Sequence, residues 1–157
     1  MAGMGREIER KFLVSGDAWR QGAKGTSFRQ GYLSSAPERT VRVRSDGLKG
    51  YLTVKGRTVG AAREEYEYEI PSAEAAEMLD RLCERPLIEK TRYAILFAGF
   101  TWEIDEFGGD NHGLIVAEVE LASEGQMIAL PPWAGREVTG DPRYYNSNLA
   151  LRPYRTW

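Results

Sequence analysis

Along most of the chain, apolar and polar side chains alternate with period two, as expected of strands with one face buried. Segments 6–14, 39–45, 50–56, 62–70, 88–97, 100–107 and 114–121 follow this pattern, and 27–33 follows it more weakly. Asp46-Gly47, Gly60 and Gly108-Gly109 are turn signals between them. The pattern predicts about eight strands of ordinary length. Helical signals are fewer. Ser72, after Pro71, is placed to cap a helix whose Met78, Leu79, Leu82 and Cys83 share one face. Asp141-Pro142 opens a last helix over 142–151, residues 123–130 are expected to form a short one, and Asp17 to Arg20 a brief turn. With no repeat, low-complexity run or linker, one domain over 1–157 is expected. The order of elements predicts a mainly β (α+β) fold, a closed antiparallel sheet decorated by a few helices.

Side chains two apart on a strand share a face. Glu7, Glu9 and Lys11 therefore lie together, opposite Ile8 and Phe12, with Arg10 between those two. Arg42 and Arg44 oppose Val41 and Val43, and Lys55 opposes Leu52 and Val54. Arg63, Glu65 and Glu67 oppose Tyr66, Tyr68 and Ile70, while Lys90 and Arg92 oppose Tyr93 and Ile95. Glu103 and Asp105 oppose Trp102 and Ile104, and Glu118 and Glu120 oppose Ala117, Val119 and Leu121. A half-exposed sheet would also show one apolar and one charged face. The signs of the charges argue against that reading. A solvated face usually mixes signs, but here Glu7/Glu9, Arg42/Arg44, Glu65/Glu67, Lys90/Arg92 and Glu118/Glu120 repeat one sign at i and i+2. Such neighbours stand ~7 Å apart and repel by roughly 2 kcal/mol at an effective dielectric of ~20. Five such pairs imply compensating ligands: a hard cation for the carboxylates, phosphate oxygens for the arginines and lysines. A closed barrel with this face inward holds both sets in one cavity and leaves the apolar face to be covered by helices.

Composition adds limits. The chain has 157 residues, enough for one domain with a sizeable core. Its 21 basic and 23 acidic residues give a net charge of -2, so generic nucleic-acid binding is not expected. No segment approaches the ~20 apolar residues of a membrane span. The start, MAGMGREIERKF, has no apolar stretch of a secretory signal, and a cytoplasmic location is expected. Cys83 is the only cysteine and is expected to be a buried, inert thiol. His112, in a Gly-rich turn, is expected at the surface.

The charged segments, read in order, resemble those of the CYTH domain, or triphosphate tunnel metalloenzyme, superfamily. The resemblance begins at EIERKF with Glu7-x-Glu9-x-Lys11 and runs through RQGYL (29–33), RVR (42–44), LTVK (52–55) and REEYEYEIP (63–71). It continues through IEKTRY (88–93), WEIDEF (102–107), AEVEL (117–121) and the C-terminal PPWAGREVTGDPRYYNSNLA (131–150). It implies an eight-stranded antiparallel barrel open as a tunnel, and Mg²⁺- or Mn²⁺-dependent cleavage or cyclisation of a triphosphate. The shortness of the chain is most like the small bacterial inorganic tripolyphosphatases, with thiamine or nucleoside triphosphatase and class IV adenylyl cyclase as alternatives. A non-catalytic polyphosphate or nucleotide sensor is an alternative of another kind.

Carried over by position, Glu7, Glu9, Glu118 and Glu120 are the implied metal carboxylates. Asp105, Glu65 and Glu67 support a second metal or the attacking water. Lys11, Arg42, Arg44, Lys55, Lys90 and Arg92 form the implied phosphate clamp, which Arg63 could join. Oxygen ligands favour Mg²⁺ or Mn²⁺ over zinc. Lys11 could bind phosphate or move a proton, with Tyr32 either its partner or a wall aromatic. Tyr144 and Asn146 are expected to pack the last helix, with plugging of a tunnel end as the alternative. Trp19, Trp102, Trp133 and Trp157 are expected to pack, so no aromatic slot for a nucleobase is foreseen. Glu64, Glu69, Glu103 and Glu106 are expected to be structural or solvated. The expected partner is a small triphosphate or polyphosphate, with neither nucleic acid nor membrane.

Overall fold

Nine strands and two short α-helices make up the computed structural model, which describes residues 5–157. The strands are β1 (Arg6–Val14), β2 (Gly25–Ser34), β3 (Arg39–Ser45), β4 (Gly50–Gly56), β5 (Ala62–Ile70), β6 (Ile88–Phe97), β7 (Phe100–Phe107), β8 (Ile115–Glu120) and β9 (Ala134–Glu137). The helices are α1 (Ser72–Arg81) and α2 (Asn146–Leu151). All pairings are antiparallel, in the order β5-β4-β3-β2-β6-β7-β8-β1, and β1 pairs back onto β5 to close a ring. Among the described residues no helix is long and apolar enough to cross a membrane.

β1 forms the seam. Arg6 to Ile8 pair with Glu64 to Ala62 of β5, whereas Phe12 and Val14 pair with β9. β9 was not expected from the sequence, because PPWAGRE opens with two prolines and does not alternate. It forms because β5 diverges from β1, leaving a strand edge that needs partners. β9 also explains Arg10, the charge between apolar Ile8 and Phe12. Its guanidinium forms two hydrogen bonds to Glu137, at 2.9 and 2.8 Å, and lies over the Phe12 ring.

Two apolar clusters cover the outside of the ring. α1 lays Ala75 and Leu79 on Val43, with Cys83 just beyond the helix. A side chain at Gly31 would stand 2.7 Å from Leu87 and 2.8 Å from Cys83, so glycine lets the segment after α1 approach β2. Burial pushes the Cys83 thiol up, as an inert cysteine requires. On the other side, Trp102 is fully buried between Phe12 and Trp133, with ring centroids 5.5 Å away in each case. Trp19, in the turn at Ala18–Arg20, packs edge-on against Tyr93. The tryptophans of the described core thus pack, as expected.

The third cluster lies inside. Ile88, Phe107 and Val116 follow the inward parity of Lys90, Asp105 and Glu118, and they meet Tyr144, Leu149 and Ala150 from the C-terminal segment. Tyr144 therefore packs with the last helix, as expected, and does so at the apolar end of the bore.

Two helical expectations are corrected. Residues 123–130 form a turn and irregular chain, in which Gln126 Oε1 accepts from the Ala122 N–H at 2.7 Å. Residues 142–151 form a 3-10 turn (Pro142–Tyr144) and then α2, interrupted at Tyr145, whose ψ is 133°. A continuous helix would commit the Tyr144 carbonyl to the N–H of Asn148. That N–H instead donates to the Tyr145 carbonyl, and the Tyr144 carbonyl accepts from Lys11 Nζ at 3.0 Å.

Candidate active site in the barrel bore

The inward face of the ring lines a cavity of about 340 Å³. Every residue the sequence proposed for a site reaches it except Asp105. Register explains the grouping. Glu9 stands opposite Glu120 and Lys11 opposite Glu118 across β1 and β8, while Lys55 faces Glu65 across β4 and β5. Arg42 faces Thr53 across β3 and β4, and Thr53 faces Glu67 in turn.

The carboxylates gather on β1, β8 and β5. Lys55 Nζ sits 3.1 Å from Glu7 and 3.0 Å from Glu65. Lys11 Nζ is 3.4 Å from Glu118. Burial first, then the charges of Glu118 and Glu7, push the Glu9 carboxyl well above its usual range. Burial also disfavours charge at Glu118, but Lys11, a hydrogen bond shared with Glu9, and Arg92 hold that carboxyl well below it. Burial and like charge thus favour proton uptake at Glu9 over its neighbours. Burial also raises Glu65, and its Oε1 is buried with no hydrogen-bond partner among the described residues.

Cations occupy β3 and β6. Arg42 Nη2 reaches Thr53 Oγ1 at 3.1 Å and Glu67 at 3.4 Å, and Arg44 Nη2 lies 3.6 Å from Glu67. The Nε of each arginine is buried with no partner among the described residues. Burial, then Arg42 and Arg92, push the Arg44 guanidinium down to about 10. Burial likewise pushes the Lys90 ammonium down to about 7, Asp105 opposing and Arg92 adding to the shift. Arg63 points the same way but is engaged with the Gly56 carbonyl at 3.1 Å.

Asp105 is the correction among the site residues. It is fully buried, takes Arg92 in a bidentate pair at 2.7 and 2.9 Å, and lies 2.8 Å from Lys90. Its oxygens are committed behind the cations rather than open to a metal ion or water. Glu103 is half-exposed, within the structural or solvated role expected of it, and borders the bore 3.4 Å from Arg92. Glu106 is structural as foreseen, paired with Arg20 at 2.7 Å, and His112 is exposed. Tyr32 lines the bore while packing in the inner apolar cluster.

Several residues of the bore escaped sequence reading. Gln30, Thr40 and Thr53 are polar side chains turned inward, and Asn146, foreseen as packing the last helix or plugging a tunnel end, lines the cavity. Gln30 had a signal, the shared parity with Tyr32, but uncharged side chains drew no attention in a search for charge pairs. No tryptophan lines the bore among the described residues, but Tyr32 and Tyr145 do.

A closed antiparallel barrel whose bore sets carboxylates against guanidinium and ammonium groups defines a class: a receptor for short polyanions accompanied by cations. The chain belongs to the CYTH domain family, which matches residues 5–154. It is 58% identical to an inorganic triphosphatase of Acetivibrio thermocellus over 154 residues, 98% of this chain and 99% of the relative. It is 41% identical to an inorganic triphosphatase of Nitrosomonas europaea over 150 residues, covering 92% and 97% of the two chains. A crystal structure of an inorganic triphosphatase superposes with a TM-score of 0.65 at 39% identity, again covering 92% of this chain and 97% of that one.

The family implies a divalent metal ion, and the donor chemistry fits one. The available ligands are carboxylate oxygens, one of them, at Glu65, buried and without a hydrogen-bond partner among the described residues, and a cation would offset the crowding that raises Glu9. Among the described residues no group of three or more His, Cys, Asp or Glu side chains is placed to hold a metal ion as it stands, so the carboxylates would have to move closer together and phosphate or water oxygens would have to supply further ligands.

Proposed function

We propose that this protein hydrolyses inorganic tripolyphosphate to pyrophosphate and phosphate, using Mg²⁺ or Mn²⁺. The observation that carries the reading is the opposition, across one bore, of a carboxylate cluster short of positive charge and an arginine pair short of acceptors. A linear triphosphate with its metal ion satisfies both.

Arg42, Arg44, Lys90 and Arg92 bind and orient the phosphate oxygens, with Lys55 and Arg63 at the border between the acidic and basic walls. Glu7, Glu9, Glu118 and Glu120 hold the metal ion, and Glu65 and Glu67 support a second one or the attacking water. A bound divalent ion supplies charge neutralisation at the phosphates and a more acidic water. Catalysis of in-line phosphoryl transfer otherwise consists of positioning and electrostatics, which these side chains provide. Lys11 acts as a phosphate ligand rather than a base: burial disfavours its charge, but Glu118 and Glu9 raise its affinity for the proton overall. Asp105 keeps Arg92 and Lys90 aimed at the phosphates. Residues 1–157 work as one domain, in the cytoplasm.

The test is phosphate release from tripolyphosphate, ATP and thiamine triphosphate in parallel, with Mg²⁺ and with Mn²⁺, and a check for cyclic AMP. Turnover best on tripolyphosphate supports the reading. Cyclic AMP as main product makes the protein a cyclase, and tight binding without turnover makes it a sensor.

A further inference from the structure

Residues 144–146 touch the bore from the C-terminal end and support lysines on two different walls. The Tyr144 carbonyl accepts from Lys11 of β1, as described above, and the Asn146 side chain reaches Lys90 of β6. Lys90 Nζ donates to Asn146 Oδ1 at 2.9 Å, and Gln30 Nε2 donates to the same oxygen at 2.9 Å.

This arrangement fixes both amides. While Lys90 carries its proton it has donors only, so the atom of Asn146 facing it must then be the oxygen. Gln30, fully buried, must then present its NH₂ to that oxygen, since two amide oxygens would repel. Asn146 consequently cannot flip. Its Nδ2 makes no hydrogen bond to any described residue, and the side chain lines the bore. A donor with no protein partner, held in one orientation beside Lys90, requires an acceptor from the cavity's contents.

We propose that Asn146 is a substrate contact, donating from Nδ2 to a phosphate oxygen of the polyanion while Lys90 and Gln30 lock its oxygen. The proposal rests on the reading that the bore binds linear tripolyphosphate. Every other donor named in the phosphate clamp is an ammonium or guanidinium group. A neutral amide adds direction without adding charge, and so helps fix which phosphate lies beside Lys90.

The competing role is a strut that acts only by holding Lys90. A double-mutant cycle separates the two. Tripolyphosphate binding is measured by calorimetry without metal for wild type, Asn146→Ala, Lys90→Met and the double variant, with a thermal melt of each. On the wild-type background Asn146→Ala is expected to weaken binding about tenfold, the scale of one hydrogen bond to a charged group. On the Lys90→Met background it is expected to weaken binding further, about fivefold or more. A double variant within twofold of Lys90→Met overturns the proposal, because Asn146 would then act only through the lysine. Asn146→Ala binding like wild type also overturns it. If Asn146→Ala lowers the melting temperature markedly, Asn146→Leu on the Lys90→Met background, neutral and of similar size but without a donor, replaces it with the same fivefold and twofold limits. Wild-type protein that binds no tripolyphosphate overturns the parent reading instead, so the two failures are distinguishable.

Discussion

Asp105→Asn separates a metal ligand from a buried support. Asp105 is the anion of a buried cluster with Arg92 at 2.7 Å and Lys90 at 2.8 Å, and both Lys90 and Asp105 are almost wholly out of solvent. Breaking a buried ion pair by removing one partner costs about 3–5 kcal/mol, because the remaining charge is left uncompensated. Here two cations remain. Lys90 can shed its proton, which limits the loss, but Arg92 cannot, so the lower end of that range applies. In a chain of this length, where 1 kcal/mol corresponds to roughly 2–4 °C, the melting temperature should fall by at least about 6 °C. The assay is thermal unfolding in a chelator, with and without tripolyphosphate. Phosphate oxygens would pair with the exposed cations, so the gap between variant and wild type should narrow when the ligand is present. A metal-ligand role makes the opposite forecast. Removing a carboxylate charge would leave the metal-free melting temperature unchanged or raised, and the loss would appear in metal affinity. An Asp105→Asn variant as stable as wild type in chelator would refute the support role.

Glu9→Gln and Glu120→Gln should each reduce turnover by about 10³-fold or more, as loss of several kcal/mol of metal-assisted stabilisation requires. Their metal-free melting temperatures should hold or rise slightly, because a crowded negative charge is removed; full activity of either at ordinary Mg²⁺ would show that the wrong carboxylates were chosen. The Lys90 ammonium, pushed down to about 7 by burial, loses its proton as pH rises through that value, so metal-free tripolyphosphate affinity should weaken by up to tenfold between pH 7 and 8. Lys90→Arg stays charged and should remove that component of the slope; identical pH profiles for the two proteins would contradict it. Tripolyphosphate should be cleaved with kcat/KM at least about tenfold above ATP, about 1.4 kcal/mol in transition-state binding. Arg42→Ala should lower tripolyphosphate turnover more than metal affinity, and equal losses in a metal titration would undo its assignment to phosphate.

The bore was legible because alternation fixes which side chains face together, and the repeated signs at Arg42/Arg44 or Glu118/Glu120 told which face was which. Parity could not tell depth. Asp105 shares the inward face with Glu103, yet it lies beneath Arg92 while Glu103 reaches the cavity. Parity also changes meaning along one strand: Ile88 and Lys90 both point inward, one into the apolar end and the other into the polar cavity. The C-terminal segment was least legible. β9 and the break at Tyr145 depend on contacts with β1, a strand more than a hundred residues earlier, and no local pattern encodes them.

The seam between β1 and β5 has a dynamic consequence. Among the described residues only Arg6 to Ile8 are in register across it, so few backbone bonds hold the ring shut there, beside Glu7. Sheet opening of low free energy is expected where such bonds are fewest. Lys55 bridges that line by reaching Glu7 from β4, and any ligand held jointly by β1, β5 and β8 would bridge it as well. A ligand that binds only the closed ring draws its binding free energy partly from suppressing that opening, so barrel rigidity and affinity become two measures of one equilibrium. Amide exchange at Glu9 and Glu65, whose N–H groups donate to Ala61 and Gly5 across the line, reads that equilibrium directly.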